Sequence, residues 1–298
     1  MRNKDAFSGY HPAVNFLYFA LVLLGTMVLM HPMSLLISLG CAAAYQITLL
    51  GRRAFRFQMG VLLPMLLLAA LLNPAFQHEG ATILCYLPSG NPLTLESIVY
   101  GFAAAMMLAA VIIWFSCYTQ VMTSDKFIYL FGRVIPALSL VLSMALRFVP
   151  KFKAQFFTVA AAQKCIGRDL SNGSLWERLR HGVTILSIMI TWSLENAIET
   201  ADSMKSRGYG LPGRTAFSVY RMDERDRLAL LWLILVGGAV LCGWALRGFY
   251  WRYYPRIGGG EWMPLTVSLQ FLYLALCLTP IILNRWEERK WTHSHSEI

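Results

Sequence analysis

Apolar runs without a single Asp, Glu, Lys or Arg recur along the chain, at Val14–Met30, Met33–Leu50, Phe57–Asn73, Ser97–Cys117, Leu228–Leu246 and Leu265–Asn284. Each falls within the ~17–25 residues that carry an α-helix across a hydrocarbon core. Lipid offers no water to satisfy backbone groups, so such runs are helical. His31-Pro32 leaves room only for a tight turn between the first two spans, and Pro64 interrupts the third, which is marginal. The pattern predicts an all-α integral membrane protein with about six transmembrane helices.

Tyr118–Arg227 breaks the pattern. It is too polar to be membrane spans and too apolar to be a linker. Its apolar runs, Val134–Val149 and Val183–Leu194, are short for crossing and suit helices that lie at the interface or pack on the membrane domain. Each continues into an amphipathic helix. In the first, Phe148, Phe152 and Phe156 form a stripe, Arg147 and Lys151 lie on the neighbouring face, and Pro150 introduces a kink. In the second, Glu195, Glu199 and Asp202 form one acidic edge beside Leu194, Ile198 and Ala201. Two readings stay open: the basic and acidic helices cross and pair, or both charged faces are solvated around an ordinary hydrophobic seam. The division is residues 1–117 as N-terminal spans, 118–227 as a cytoplasmic region of amphipathic helices, and 228–298 as C-terminal spans with a cytoplasmic tail.

Charge sets the orientation. Of the 26 Lys and Arg, 15 fall between Lys126 and Arg227. Positive charge beside a span is retained inside, so this block, the loop with Arg52, Arg53 and Arg56, and the termini with Arg2, Lys4, Arg285, Arg289 and Lys290 are assigned to the cytoplasm. Only Arg247, Arg252 and Arg256 are then external. The net charge of +10 is thus read as a cytoplasmic face at the lipid bilayer, with no nucleic-acid partner. The expected location is the cell membrane, and the first apolar run is read as a retained span and not as a signal peptide.

The chemistry is sparse. There is no GxxxxGK[ST], HExxH or paired CxxC, so no nucleotide loop, cofactor or metal site is expected. The six Cys are scattered and read as reduced thiols. Gly208-Tyr-Gly-Leu-Pro-Gly213 spells GxGxxG, but it follows a helix and contains Pro212, so its glycines are read as helix-end and turn residues. His293 and His295 sit in a polar tail and are read as unstructured. The spans carry no charge, which argues against a substrate or ion path within this chain. A stand-alone membrane enzyme or transporter would need converging polar groups, and Gln46, Thr48 and Asn73 are scattered. A membrane scaffold remains an alternative.

Two helix endings stand out, Ala160-Ala-Ala-Gln-Lys-Cys-Ile-Gly167-Arg168-Asp169 and Ala201-Asp-Ser-Met-Lys-Ser-Arg-Gly208-Tyr209. Each brings a basic residue to a Gly suited to a left-handed cap. Either this is a routine basic cap, or Arg207 presents its planar donors to a carboxylate- or carbonyl-lined groove. With Ser143-Met-Ala-Leu-Arg-Phe-Val-Pro150, Ala162-Gln163 and Ser206-Arg207-Gly208, the stretch from about Met122 to Gly210 resembles the transmembrane T component of energy-coupling factor importers. The resemblance implies that 118–227 is a cytoplasmic coupling domain of crossed amphipathic helices, in a non-catalytic subunit that passes ATP-driven movement from two ABC-type ATPases to a substrate-binding membrane S subunit, for uptake of a vitamin or metal ion. It also implies ATPase docking at Ser206, Arg207 and Gly208, and at Lys164, Cys165, Ile166, Gly167 and Arg168, with Ile166 where the family has arginine. Arg168 is preferred as the substitute donor, with an apolar pocket for Ile166 as the alternative. Gly101, Ala105, Ala109, Ala239 and Gly243 are candidates for packing either the S subunit or this chain's own helices.

The orientation predicts that single cysteines near Asp169 and near Arg214, in a chain freed of its native Cys, react with an impermeant thiol reagent only after permeabilisation. Labelling of intact cells at either position contradicts the topology.

Overall fold

The computed structural model describes residues 5–296 apart from 52–53, 55, 57, 59, 61–62, 78, 87–91, 133–134, 169–172, 212–219 and 260–263. Arg52, Arg53, Asp169, Pro212, Gly213 and Arg214 therefore lie outside the described residues, as do the side chains of Lys290, His293 and His295. A 3-10 turn at Phe7–Gly9 precedes α1 (Pro12–Val28), α2 (Pro32–Leu50) and α3 (Leu63–Phe76). Strands β1 (Ile83–Tyr86) and β2 (Pro92–Thr94) lead into α4 (Leu95–Val121), followed by α5 (Ser124–Gly132), α6 (Pro136–Cys165) and α7 (Leu175–Ser206). The chain closes with α8 (Glu224–Ala245), β3 (Trp251–Arg252), β4 (Gly258–Gly259) and α9 (Pro264–Ser296).

The protein is all-α with membrane-spanning helices, as the apolar pattern predicts. Among the described residues four helices, α2, α4, α8 and the Pro264–Arg289 part of α9, are long and apolar enough to cross. The first and third predicted spans correspond to shorter apolar helices, α1 and α3. Both hairpins went unpredicted because β1 and β2 are four and three residues long, and β3 and β4 two each, too short for an alternating pattern. They meet where Ala81 N donates to Pro255 O at 3.0 Å.

Contacts divide the described chain into two compact units, one from Met1–Phe127 with Tyr220–Ile298 and one from Ile128–Val219. In the first, His11-Pro12 and His31-Pro32 start α1 and α2 by the same device. Each imidazole Nδ1 accepts the amide of the residue after the proline, at 3.3 Å. Burial lowers the pKa of both imidazoles, which favours the neutral ring that can accept. Trp114 of α4 is fully buried among Tyr18, Phe19 and Tyr45. Its Nε1 donates to Ser38 Oγ at 3.0 Å, and Thr26 Oγ1 bonds Ser38 Oγ at 2.6 Å and Tyr273 OH at 3.1 Å. This node joins α1, α2, α4 and α9. Interhelical hydrogen bonds of this kind contribute about 0.6–2 kcal/mol each in membranes. Leu24, Leu36, Leu71, Leu235 and Phe271 point outward and are exposed, as lipid-facing positions require.

Close approach uses small residues. A Cβ on Gly101 would lie 2.9 Å from Asn73 Cβ and 3.0 Å from Ala70 O of α3, and one on Gly243 would collide with the Leu269 side chain of α9. Ala105 and Ala109 are buried. Of the small residues open to two readings, these four pack the chain's own helices, and Ala239 is exposed.

Gly101→Val forces α3 from α4 against backbone, and overpacking of this kind costs about 1–3 kcal/mol. Gly238→Val meets open space, with no atom within 4 Å. Thermal unfolding in detergent should therefore show a lowered midpoint for Gly101→Val relative to Gly238→Val, and equal midpoints would contradict the close approach.

Candidate functional site

The second unit is built on α6 and α7. Pro136 starts α6, where its missing amide costs no helical bond. Ser174 and Glu177 start α7 with reciprocal bonds, Glu177 N to Ser174 Oγ at 3.4 Å and Ser174 N to Glu177 Oε2 at 2.9 Å. That is the capping box implied by Ser-x-x-Glu. The helix α6 continues through Pro150.

The two helices run antiparallel, as their contacts show. Phe152 meets Trp192 edge to face, with centroids 5.4 Å apart, while Val159, seven residues further along α6, clusters with Ile185 and Met189, earlier in α7. Between these points a residue gained on one helix is a residue lost on the other. Lys151 completes the seam, its Nζ donating to Asn196 Oδ1 at 2.6 Å and lying 5.3 Å from the Trp192 ring centroid. Phe148, Phe152, Trp192, Ser193, Asn196 and Ala197 line a cleft here.

The charges do not hold the seam. Among the described residues no ion pair joins Arg147 or Lys151 to Glu195, Glu199 or Asp202, and the three acidic groups are exposed. Lys151 is bound by an amide and an aromatic face instead. Phe148 and Phe152 of the predicted stripe face the seam, whereas Phe156 touches Phe157.

The two endings are alike in bonding. At the first, Gly167 has φ +83°, Arg168 N donates to Gln163 O at 3.0 Å, and Gly167 N to Lys164 O at 3.0 Å. At the second, Gly208 has φ +76°, Tyr209 N donates to Met204 O at 3.0 Å, and Gly208 N to Lys205 O at 3.1 Å. Both are the paired six-to-one and five-to-two bonds that close a helix on a left-handed residue. Aligned by these bonds, Cys165 corresponds to Ser206, Ile166 to Arg207, Gly167 to Gly208 and Arg168 to Tyr209. Ile166 is 69% exposed, and Cys165, Arg168, Ser206 and Arg207 are exposed too. Because α6 and α7 are antiparallel, the endings leave the seam in opposite directions. At about 1.5 Å per residue they stand on the order of 40 Å apart along the pair.

Helix α7 carries a second apolar face. Leu179, Val183, Leu186, Ile190, Leu194 and Ile198 are all exposed and recur at three or four residues, forming an apolar stripe about 30 Å long beside the seam. Its period is legible in the sequence, but it shares turns with the seam residues Ile185, Met189 and Trp192. The sequence does not separate the two faces.

The profile of the CbiQ family, described as cobalt transport protein, matches residues 11–217. The energy-coupling factor transporter transmembrane protein EcfT of Bacillus selenitireducens is 32% identical over 177 residues, covering 56% of this chain and 66% of the relative. A protein of the same name from Lactobacillus helveticus is 36% identical over 108 residues, covering 36% of this chain and 39% of the relative. The chain thus spans less than two thirds of the length of each.

Proposed function

Because the chain belongs to the CbiQ family of cobalt transport proteins, we propose that it is the transmembrane coupling subunit of an energy-coupling factor importer. It passes ATP-driven movement of two ABC-type ATPases to a membrane S subunit that recognises a vitamin or metal ion. It catalyses no covalent step. The second unit lies on the cytoplasmic side of the cell membrane, and both termini are cytoplasmic.

The observation that carries this reading is the pair of endings. Two exposed tips with one cap geometry, at opposite ends of an antiparallel pair, suit attachment to two copies of one kind of partner. At the second tip Ser206, Arg207 and Gly208 form the anchor, with the guanidinium supplying several fixed donors and the glycine turning the chain away. At the first, Ile166 holds the anchor's place. The matched bonds shift the weight from Arg168 to an apolar pocket that receives Ile166, with Lys164 and Arg168 as flanking charges. The stripe Leu179–Ile198 offers the S subunit an apolar face. Arg147, Pro150, Lys151, Glu195, Glu199 and Asp202 belong to the coupling helices that move between these partners.

Loss of a buried, multiply bonded Arg typically costs about 2–5 kcal/mol at an interface. Arg207→Ala should therefore weaken ATPase association at least ~30-fold in a pull-down while membrane insertion is unchanged, and unchanged association removes the anchor. Ile166→Ser should weaken association and Arg168→Gln should leave it nearly intact. The reverse order returns the role to Arg168, and no effect from either denies docking at the first tip.

A further inference from the structure

We propose that the segment Asp5–His11 is a clasp that positions both junctions of the inserted second unit, with Lys126 and Arg225 as its positioning residues. This rests on the coupling role, since only a unit that moves needs its junctions held.

The chain leaves the first unit after Phe127 and re-enters at Tyr220. Lys126 stands at the exit and is 7% exposed. Its Nζ donates to Ser8 O and to Val121 O, the latter at 3.1 Å. The Asn15 amide satisfies its neighbours when its nitrogen faces Phe7 O at 3.0 Å and its oxygen faces Lys126 Nζ at 2.9 Å. Three oxygens thus meet the three N–H groups of a buried ammonium. Burial lowers the Lys126 pKa, and Asp5 nearby opposes that shift in favour of the ammonium. The Asp5 carboxylate in turn accepts from Tyr45 OH at 2.8 Å and from Asn284 Nδ2, and Phe7 N donates to Asn284 Oδ1 at 2.8 Å. The segment therefore bonds α2, α5 and α9, and Lys126 carries the connection on to α4.

The re-entry is held by the same segment. His11 N donates to Asp226 Oδ1 at 3.3 Å, and the Arg225 guanidinium lies 4.3 Å from the Tyr10 ring centroid. Arg225 also pairs with Glu287 of α9 at 2.8 Å. Tyr220 is bonded to the Thr123 side chain, which brings the two junctions together. A displacement of either junction must then move the clasp, or break a buried ammonium's bonds.

Hydrogen exchange on the full chain with its co-purified ATPases, with ATP as the probe, tests this. In the wild-type complex ATP should change exchange at Ser8–Tyr10 and in α9 around Asn284. In Lys126→Met that response should be lost while ATPase association and ATP hydrolysis persist. Arg225→Gln removes a half-exposed contact that a fold tolerates, and should weaken the response about two- to fivefold. It decides the matter if Lys126→Met does not fold. An unchanged response in the variants, or no wild-type response at the clasp while the bound ATPases turn over, overturns the clasp. A wild-type chain that binds no ATPase overturns the coupling role and, with it, the clasp's premise.

Discussion

The antiparallel seam between α6 and α7 decides what the second unit can present. Trp192 against Phe152, and Val159 against Ile185 and Met189, fix which residues of the two helices lie side by side. Were the helices parallel, both glycine-capped ends would emerge together. Antiparallel packing sends Ile166 and Arg207 to opposite tips. The seam is apolar and aromatic, with one cation held by Asn196, so it does not depend on exposed ion pairs, whose contribution is commonly below about 1 kcal/mol.

A different constraint shapes the first unit. In lipid, apolar contact adds little driving force between helices, so close backbones and interhelical hydrogen bonds specify the packing. Gly101 and Gly243 provide the approach, and the node of Thr26, Ser38, Trp114 and Tyr273 provides the bonds. Charges are kept to the ends of the helices, where Lys126, Asp5 and Arg225 gather the first residues of the chain against four helices.

Much of this was legible in the sequence. The charge-free runs locate six apolar helices because a lipid environment admits few alternatives, and the Gly after each amphipathic helix marks a left-handed cap because other residues strain there. The hairpins were hidden by their length, and the α7 stripe by seam residues in the same turns. Of the two readings of the charged helices, the described residues show the solvated faces around a hydrophobic seam, with Lys151 taken up by Asn196 and Trp192. Least legible was the clasp. Asp5, Asn15, Lys126, Arg225 and Asn284 are far apart in sequence and belong to no motif, and only the fold brings them together.

In the proposed role the tips receive force, the seam keeps them apart, and the clasp carries displacement to the membrane helices. Service of two ATPases by two tips is the centre of the proposed mechanism. Photo-crosslinking groups placed separately at Ile166 and Arg207, and then together, measure it directly. Each single label should yield an adduct with one ATPase subunit, and the double label should capture two on one chain. A double label that captures only one subunit, or an Ile166 label that captures none, would contradict it.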